Sequence, residues 1–382
     1  MSLTRRQLLK AGGALAVLGP LGCAASSSGG AKELIARQET PWNAEPSLDR
    51  LPGSWITPLR HFYVRSHGAV PAIDPGTYRL SVGGLVERPL SLSLAELRGA
   101  EQGATPATLQ CAGNRRSEIS RIKTVGGVQW DAGAIGNAEW RGARLGDLLK
   151  RAGVKSGAKV VWFEGLDEPV VKDRKLRFGA SIPLEKALRP ETLVALEMNG
   201  EPLAASHGAP ARTVVPGFIG ARSVKWLGSI TVSDRPFDNY FSMGDYKFFA
   251  PDVTAETAKW EEKEPIYDYA LSSAICSPMA NETVKAGRLR VRGYALAPAG
   301  ASLRRVEVSA NGGVTWAEAR FLGEESPYAW RLWEVDFEVP PGPRVLVARA
   351  SDSTGRVQPE QPAWNFKGYL CNAWHRVPIT AG

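Results

Sequence analysis

No Cys-x-x-Cys pair and no Cys-x-x-Cys-His occurs in this chain, whose four cysteines stand apart at positions 23, 111, 276 and 371. That spacing indicates neither a zinc site nor a covalently attached c-type haem. Histidine is equally scarce, with four in 382 residues. His61 and His375 sit in no framework that would ligate iron, so no haem is expected in this chain. No block of five or more basic residues appears either, because Lys and Arg are interleaved with acids. A nucleic-acid partner is therefore not expected, and the net charge of +8 leaves open the other anionic partners, membrane headgroups, acidic proteins and a small-anion pocket. The apolar stretch from Ala11 to Gly22 is too short to span a bilayer.

What the chain has is the composition of a folded protein, 43% hydrophobic and 23% charged, with 40 Gly and 27 Pro and no solenoid repeat. Its length predicts two domains. Thr4-Arg5-Arg6-Gln7-Leu8-Leu9-Lys10 ahead of the apolar stretch reads as a twin-arginine export signal. Residues 1–30 are then signal and linker, and the mature protein is expected outside the cytoplasm, in the periplasm. Leu21-Gly22-Cys23-Ala24 and the Ser/Gly-rich run behind it allow a lipid anchor on Cys23 as an alternative to simple cleavage. Twin-arginine cargo travels folded and commonly carries a cofactor.

Residues 48–250 mix β-rich runs (Tyr78 to Leu85, Lys159 to Glu164, Ser229 to Ser233) with helical ones (Ser93 to Gly99, Arg144 to Ala152, Pro183 to Arg189), an α+β pattern. Leu145, Leu148 and Leu149 share one helical face, and Gly153 is placed to cap it. The segment Trp260 to Pro265 marks a change of texture. From 266 to 382 apolar and polar residues alternate over Leu289 to Ala295, Leu303 to Ser309, Trp333 to Val339 and Val345 to Ala350, with a turn signal at Asn311-Gly312-Gly313. This predicts an all-β, Ig-like sandwich. Cys276 and Cys371 both fall in it and are a candidate pair, though spacing cannot give their separation.

The chemistry-bearing segment is Thr108-Leu109-Gln110-Cys111-Ala112-Gly113-Asn114-Arg115-Arg116. Two guanidinium groups beside one thiol favour the thiolate, and Gly113 permits unusual backbone angles. A thiolate is either a nucleophile or a soft metal ligand. Singly, His67, His207, Arg212, Lys225 and Trp130 each have an ordinary structural explanation. Several blocks occurring together carry more weight.

Phe62 to His67, Leu109 to Ser117, Trp130 to Gly136, Asn199 to Leu203, His207, Arg212 to Lys225, Asp245-Tyr246-Lys247, Trp364 to Gly368 and Asn372 to Arg376 follow in the order found in the sulfite oxidase family, which the chain resembles over roughly residues 48 to 380. The resemblance implies a mixed-sheet molybdopterin-binding domain followed by an Ig-like dimerisation domain, and hence a homodimer. It implies Cys111 as the protein ligand to molybdenum. Arg65, Ser66, His67, Asp167, His207, Arg212, Ser223 and Lys225 would hold the pterin and its phosphate, helped by main-chain amides near Gly220 to Lys225.

The implied reaction is oxidation of sulfite to sulfate by oxygen-atom transfer at an oxo-molybdenum centre. Arg65, Arg116 and Lys367 would attract the anion, while Trp130 and Tyr246 would shape its pocket. Tyr246, facing cations, is expected to ionise more easily and to donate a proton. Electrons would leave one at a time, to a separate cytochrome c. Two departures bear on the substrate: Lys367 stands where the family usually has Arg, and Ser66 where it has Asn; Cys371 replaces a common Ser. The alternatives are a periplasmic reductase of a sulfoxide or another oxyanion, and a non-enzymatic surface protein whose cysteine loop is merely structural.

Overall fold

Short stretches of alternating Val, Leu and Ile become strands wherever one face can be buried, and the core of the N-terminal half is assembled from these faces. The computed structural model describes residues 33–382; the twin-arginine segment and Cys23 lie outside them. No helix among the described residues is long and apolar enough to cross a membrane.

One five-stranded sheet runs in the order Gly179–Pro183, Val160–Gly165, Leu227–Ser233, Arg79–Gly84, Leu90–Ser93. It is mixed: Leu227–Ser233 pairs in parallel with Arg79–Gly84, while the other neighbours are antiparallel. Helix Leu145–Ala152 lays Leu145, Leu148 and Leu149 against it and ends at Gly153 in the left-handed conformation, φ 74°. Helix Leu94–Gly99 starts from Ser93 through a reciprocal capping box with Glu96. The helix expected over Pro183 to Arg189 is shorter, Leu184–Ala187, because the chain leaves it in a turn ahead of Pro190 before the strand Leu193–Met198 begins.

A second, antiparallel sheet runs Glu201–Pro202, Leu193–Met198, Ile135–Arg144, Gln102–Gln110, with Arg212–Val214 also paired to Leu193–Met198. Strands Gln102–Gln110 and Ile135–Arg144 form one long hairpin whose connection, residues 111–134, carries Cys111 and Trp130. Upstream of residue 48, strands Leu34–Gln38 and Asn43–Pro46 form a further hairpin. Its Glu45 carboxylate accepts from the main-chain N–H of Asp131 and Gly133 at 2.8 and 2.9 Å and from Arg37 at 2.5 Å, which fastens that connection.

The C-terminal region is all β. Ser272–Ser277, Gly287–Leu296 and Arg331–Val339 lie on one side, and Leu303–Ser309, Gly342–Asp352, His375–Ala381 and Thr283–Val284 on the other. Between them Val291, Trp333, Val306, Leu346 and Val377 are buried as one core. Ala317–Leu322 belongs to both layers, since Ala319 pairs with Val306 and the next residue, Arg320, with Glu334. The turn at Asn311 is a loop wider than two residues, in which Gly313 N–H donates to Ser309 Oγ at 2.9 Å and Thr315 N–H to Asn311 Oδ1 at 2.9 Å. Cys276 and Cys371 are both buried free thiols and form no disulfide.

Candidate active site

Cys111 follows directly on the strand Gln102–Gln110, 7% exposed, with its N–H donating to Ala134 O at 2.9 Å. The Gly113 N–H points at its Sγ at 3.4 Å, so the backbone supplies a hydrogen bond to sulfur. The unusual backbone angle expected at Gly113 falls instead on Arg115, φ 64°. Gly113 is needed for space: a Cβ there would lie 2.5 Å from Arg116 Nη2. Gly127 and Gly368 are likewise pressed against Arg116, so three glycines from three segments form the slot that its guanidinium occupies. Within that slot Arg116 donates to Val128 O at 2.8 Å and Lys367 O at 3.2 Å and lies over the Tyr369 ring.

The second guanidinium expected beside the thiol is elsewhere. Arg115 is fully buried and doubly bonded to Glu118 at 2.7 Å. It also donates to the carbonyls of Ser273, Ala373 and Trp374 in the C-terminal domain. Burial alone would lower its pKa, but the Glu118 carboxylate more than offsets this and holds it raised. Asn114 extends the same contact, its Nδ2 donating to Tyr294 Oη at 3.1 Å, while Tyr294 donates to Ala132 O at 2.8 Å.

Below Cys111 lies a cleft with about 690 Å³ of space between atoms, part of it open to solvent. It brings together Arg65, Ser66, His67, Asp167, His207, Arg212, Ser223, Lys225 and Tyr246 from segments far apart in the chain. Its cations donate to neutral groups: Arg212 to His207 O and Ser223 O, both 2.9 Å, and Lys225 to Ser66 Oγ at 2.8 Å and Ser206 O at 2.9 Å. Arg65 donates to Asn43 Oδ1 at 3.2 Å, and its Nη2 sits 3.0 and 3.1 Å from the two ring nitrogens of His67.

Burial first, and neighbouring cations second, push the Lys225 ammonium and the His67 imidazole well below their ordinary values, and His207 down to about 3. Burial alone takes Arg212 down to about 10. Both histidines are thus neutral at pH 7. The Asp167 carboxyl is pushed up to about 6 by burial despite Lys225, and its Oδ1 has no hydrogen-bond partner. Among the described residues no three His, Cys, Asp or Glu side chains converge to hold a bare metal ion, so the cleft offers one thiol and an excess of positive charge.

Other expected features are placed differently. Tyr246 bonds through its hydroxyl to His67 Nε2 at 2.8 Å, yet burial outweighs the pull of Arg65 and raises its pKa rather than lowering it. Trp130 is not a wall of the cleft: fully buried, it packs edge-on behind Tyr63, centroids 6.5 Å apart, with its Nε1 unpartnered. Of the six amides expected as a nest over Gly220 to Lys225, three are used, since Arg222, Ser223 and Val224 donate to Ile219 O, Gly220 O and Thr213 Oγ1, while Gly220 and Ala221 line the cleft. Lys367 stands with Arg65 and Arg116 in the wall of a wider funnel that meets the cleft at Arg65 and His67, and is ion-paired there with Asp245. Asp245 and Tyr63 fall inside blocks of the family resemblance but were given no role of their own. Asn43, which orients Arg65 and receives the Ser66 N–H at 2.8 Å, precedes the resembling segment and gave no signal.

Residues 67–241 match the family described as oxidoreductase molybdopterin binding domain, and residues 263–382 that described as Mo-co oxidoreductase dimerisation domain. Sulfite oxidase of Arabidopsis thaliana is 40% identical over 372 residues, spanning 91% of this chain and 94% of that protein. The chain belongs to the sulfite oxidase family. Mitochondrial sulfite oxidase of Homo sapiens is 44% identical over 359 residues, 91% of this chain, and the chain spans 65% of the length of that relative. Among solved structures, the sulfane dehydrogenase SoxCD from Paracoccus pantotrophus superposes with a TM-score of 0.79 at 26% identity, covering 95% of this chain and 93% of that one. A sulfite-oxidase-type domain followed by a β-rich domain is therefore the fold of this chain, as the family resemblance implied.

Proposed function

We propose that this protein oxidises sulfite to sulfate at a molybdenum–pterin cofactor liganded by Cys111, and passes the electrons to an external redox protein. One observation carries the reading: a single shielded thiol heads a buried cleft whose cations donate to carbonyls and hydroxyls, leaving their charge for a ligand. Burying an unpaired cation costs several kcal/mol by rough reckoning, so such a cleft makes sense when an anion belongs in it. The residues fit a pterin phosphate in donor chemistry, and the orphaned Asp167 Oδ1 fits a ring N–H.

When bound, the cofactor supplies two-electron oxygen-atom transfer. Arg212 and Lys225 would hold its phosphate, and Asp167, His207 and Ser223 would help to hold the pterin. Cys111 Sγ, supported by the Gly113 N–H, is the one protein ligand to the metal. Arg65 and Arg116 draw sulfite down the funnel and orient its oxygens by planar two-point donation. Lys367 works at longer range, its charge moderated by Asp245. Tyr246, its proton firmly held, stays a neutral O–H donor and fixes the ring of His67.

Export through the Arg5-Arg6 signal, with cleavage or lipidation at Cys23, places the enzyme in the periplasm, where a separate cytochrome c accepts electrons one at a time. The C-terminal domain pairs two copies into a homodimer. Protein from molybdenum-replete cells should contain about one molybdenum per chain, as single-thiolate coordination requires, and should reduce cytochrome c on addition of sulfite. Cys111→Ser should lose both the metal and the turnover. Full redox activity in that variant would sink the reading.

A further inference from the structure

The outer funnel holds about 2150 Å³ of space open to solvent, far more than sulfite, one sulfur with three oxygens, needs. Its wall is of two kinds. One part is aromatic: the rings of Trp260 and Phe366 meet edge-on at 5.8 Å, and both pack on Phe249, at 4.9 and 5.0 Å. Tyr240, 39% exposed, faces the same space. The other part is the ion pair of Lys367 with Asp245, whose ammonium lies 5.8 Å from the Trp260 ring centroid. An ammonium already paired to a carboxylate remains a hydrogen-bond donor but adds little net charge. An apolar substituent, useless to sulfite, would gain by covering Trp260 and Phe366.

We propose that the funnel admits organic sulfinates, R–SO2⁻ with an aryl or alkyl R, and that the protein oxidises them to sulfonates; this rests on the sulfite-oxidising reading and widens its substrate class. Sulfinate sulfur keeps the lone pair that sulfite uses. That pair forms one new S–O bond to an oxygen that originates from water, both O–H bonds of the water break, and R–SO2⁻ + H2O gives R–SO3⁻ + 2 H⁺ + 2 e⁻. The electrons leave singly to a cytochrome c. Arg65 and Arg116 receive the two sulfinate oxygens, and R lies against Trp260 and Phe366.

The cofactor-loaded protein should be titrated calorimetrically with benzenesulfonate and methanesulfonate. It should also be assayed for cytochrome c reduction with sulfite, methanesulfinate and benzenesulfinate. Benzenesulfonate is expected to bind at least about tenfold tighter than methanesulfonate, a margin the size of one aromatic contact, which Trp260→Ala or Phe366→Leu should abolish. The kcat/KM for benzenesulfinate should exceed that for methanesulfinate and lose that advantage in the same variants. Equal binding of the two sulfonates, or a margin that survives both substitutions, overturns the aromatic subsite. Binding without sulfinate turnover overturns the substrate assignment. Sulfite turnover in the same preparation shows separately whether the sulfite-oxidising reading stands.

Discussion

Arginine and lysine are used in opposite ways on the face of the C-terminal sandwich and in the N-terminal cleft. On the outer face of the C-terminal sandwich, the exposed Arg288 and Arg290 pair with Asp336, and the half-exposed Arg292 and the exposed Arg320 with Glu334, which is itself buried beneath them. In the N-terminal cleft, Arg212 and Lys225 are buried and donate to carbonyls and a hydroxyl. The difference teaches that a cation's partner, more than its presence, separates structure from function. A charge matched by a carboxylate in solvent is already satisfied, whereas a charge buried against weak dipoles is satisfied only by something that arrives later.

The sharpest test of that contrast is Lys225→Met. Cofactor retention should weaken by at least about 2–5 kcal/mol, because a desolvated charge pair loses one partner, as measured by pterin release on dilution. The same substitution should leave the cofactor-free protein as stable as before or more so, which would not follow if Lys225 were a structural cation.

Asp167 probes the cleft from the other sign. Because the folded protein holds the Asp167 proton more tightly than the unfolded chain does, this group's contribution is fully present below the ordinary carboxylate value near 3.8 and is lost as pH rises through about 6. Asp167→Asn should therefore stabilise the cofactor-free protein at pH 7 by up to about 3 kcal/mol and have little effect at pH 4, in urea unfolding at both pH values. A gain of equal size at both would remove the titration from the explanation.

Tyr246→Phe should lower kcat on the order of 10²-fold while molybdenum content stays intact. Undiminished turnover would confine Tyr246 to packing. Smallest of all, Arg290→Ala on the sandwich face should leave both the unfolding midpoint and sulfite turnover where they are, measured side by side with Lys225→Met. A large effect there would erase the distinction between the sandwich face and the cleft.

Much of this architecture was legible in the residues. Leu145, Leu148, Leu149 and Gly153 read correctly because a helix face and its cap are local. The strand Leu303–Ser309 read correctly because period-two alternation needs no distant partner. The hairpin Gln102–Gln110 and Ile135–Arg144 was not seen, since its two arms are separated by the cysteine connection and its register is set only on pairing. The cleft residues were found through the order of family blocks, yet their orientation was not readable. Arg115 and Arg116 are adjacent in sequence, yet Arg115 turns to Glu118 and to carbonyls of the C-terminal domain while Arg116 lines the funnel with Arg65 and Lys367, and Trp130, assigned to the pocket, lies behind it. Tyr246 was misjudged for a related reason: charge is visible in a sequence and desolvation is not.

The bonds from Arg115 and Asn114 to Ser273, Ala373, Trp374 and Tyr294 limit how modular this protein can be. Excising the first domain, or grafting it onto a foreign C-terminal module, would strip the loop beside the reactive sulfur of its outer scaffold and strand a guanidinium whose carbonyl acceptors come from the lost half. In recombination between relatives, the two halves should travel as one inheritance.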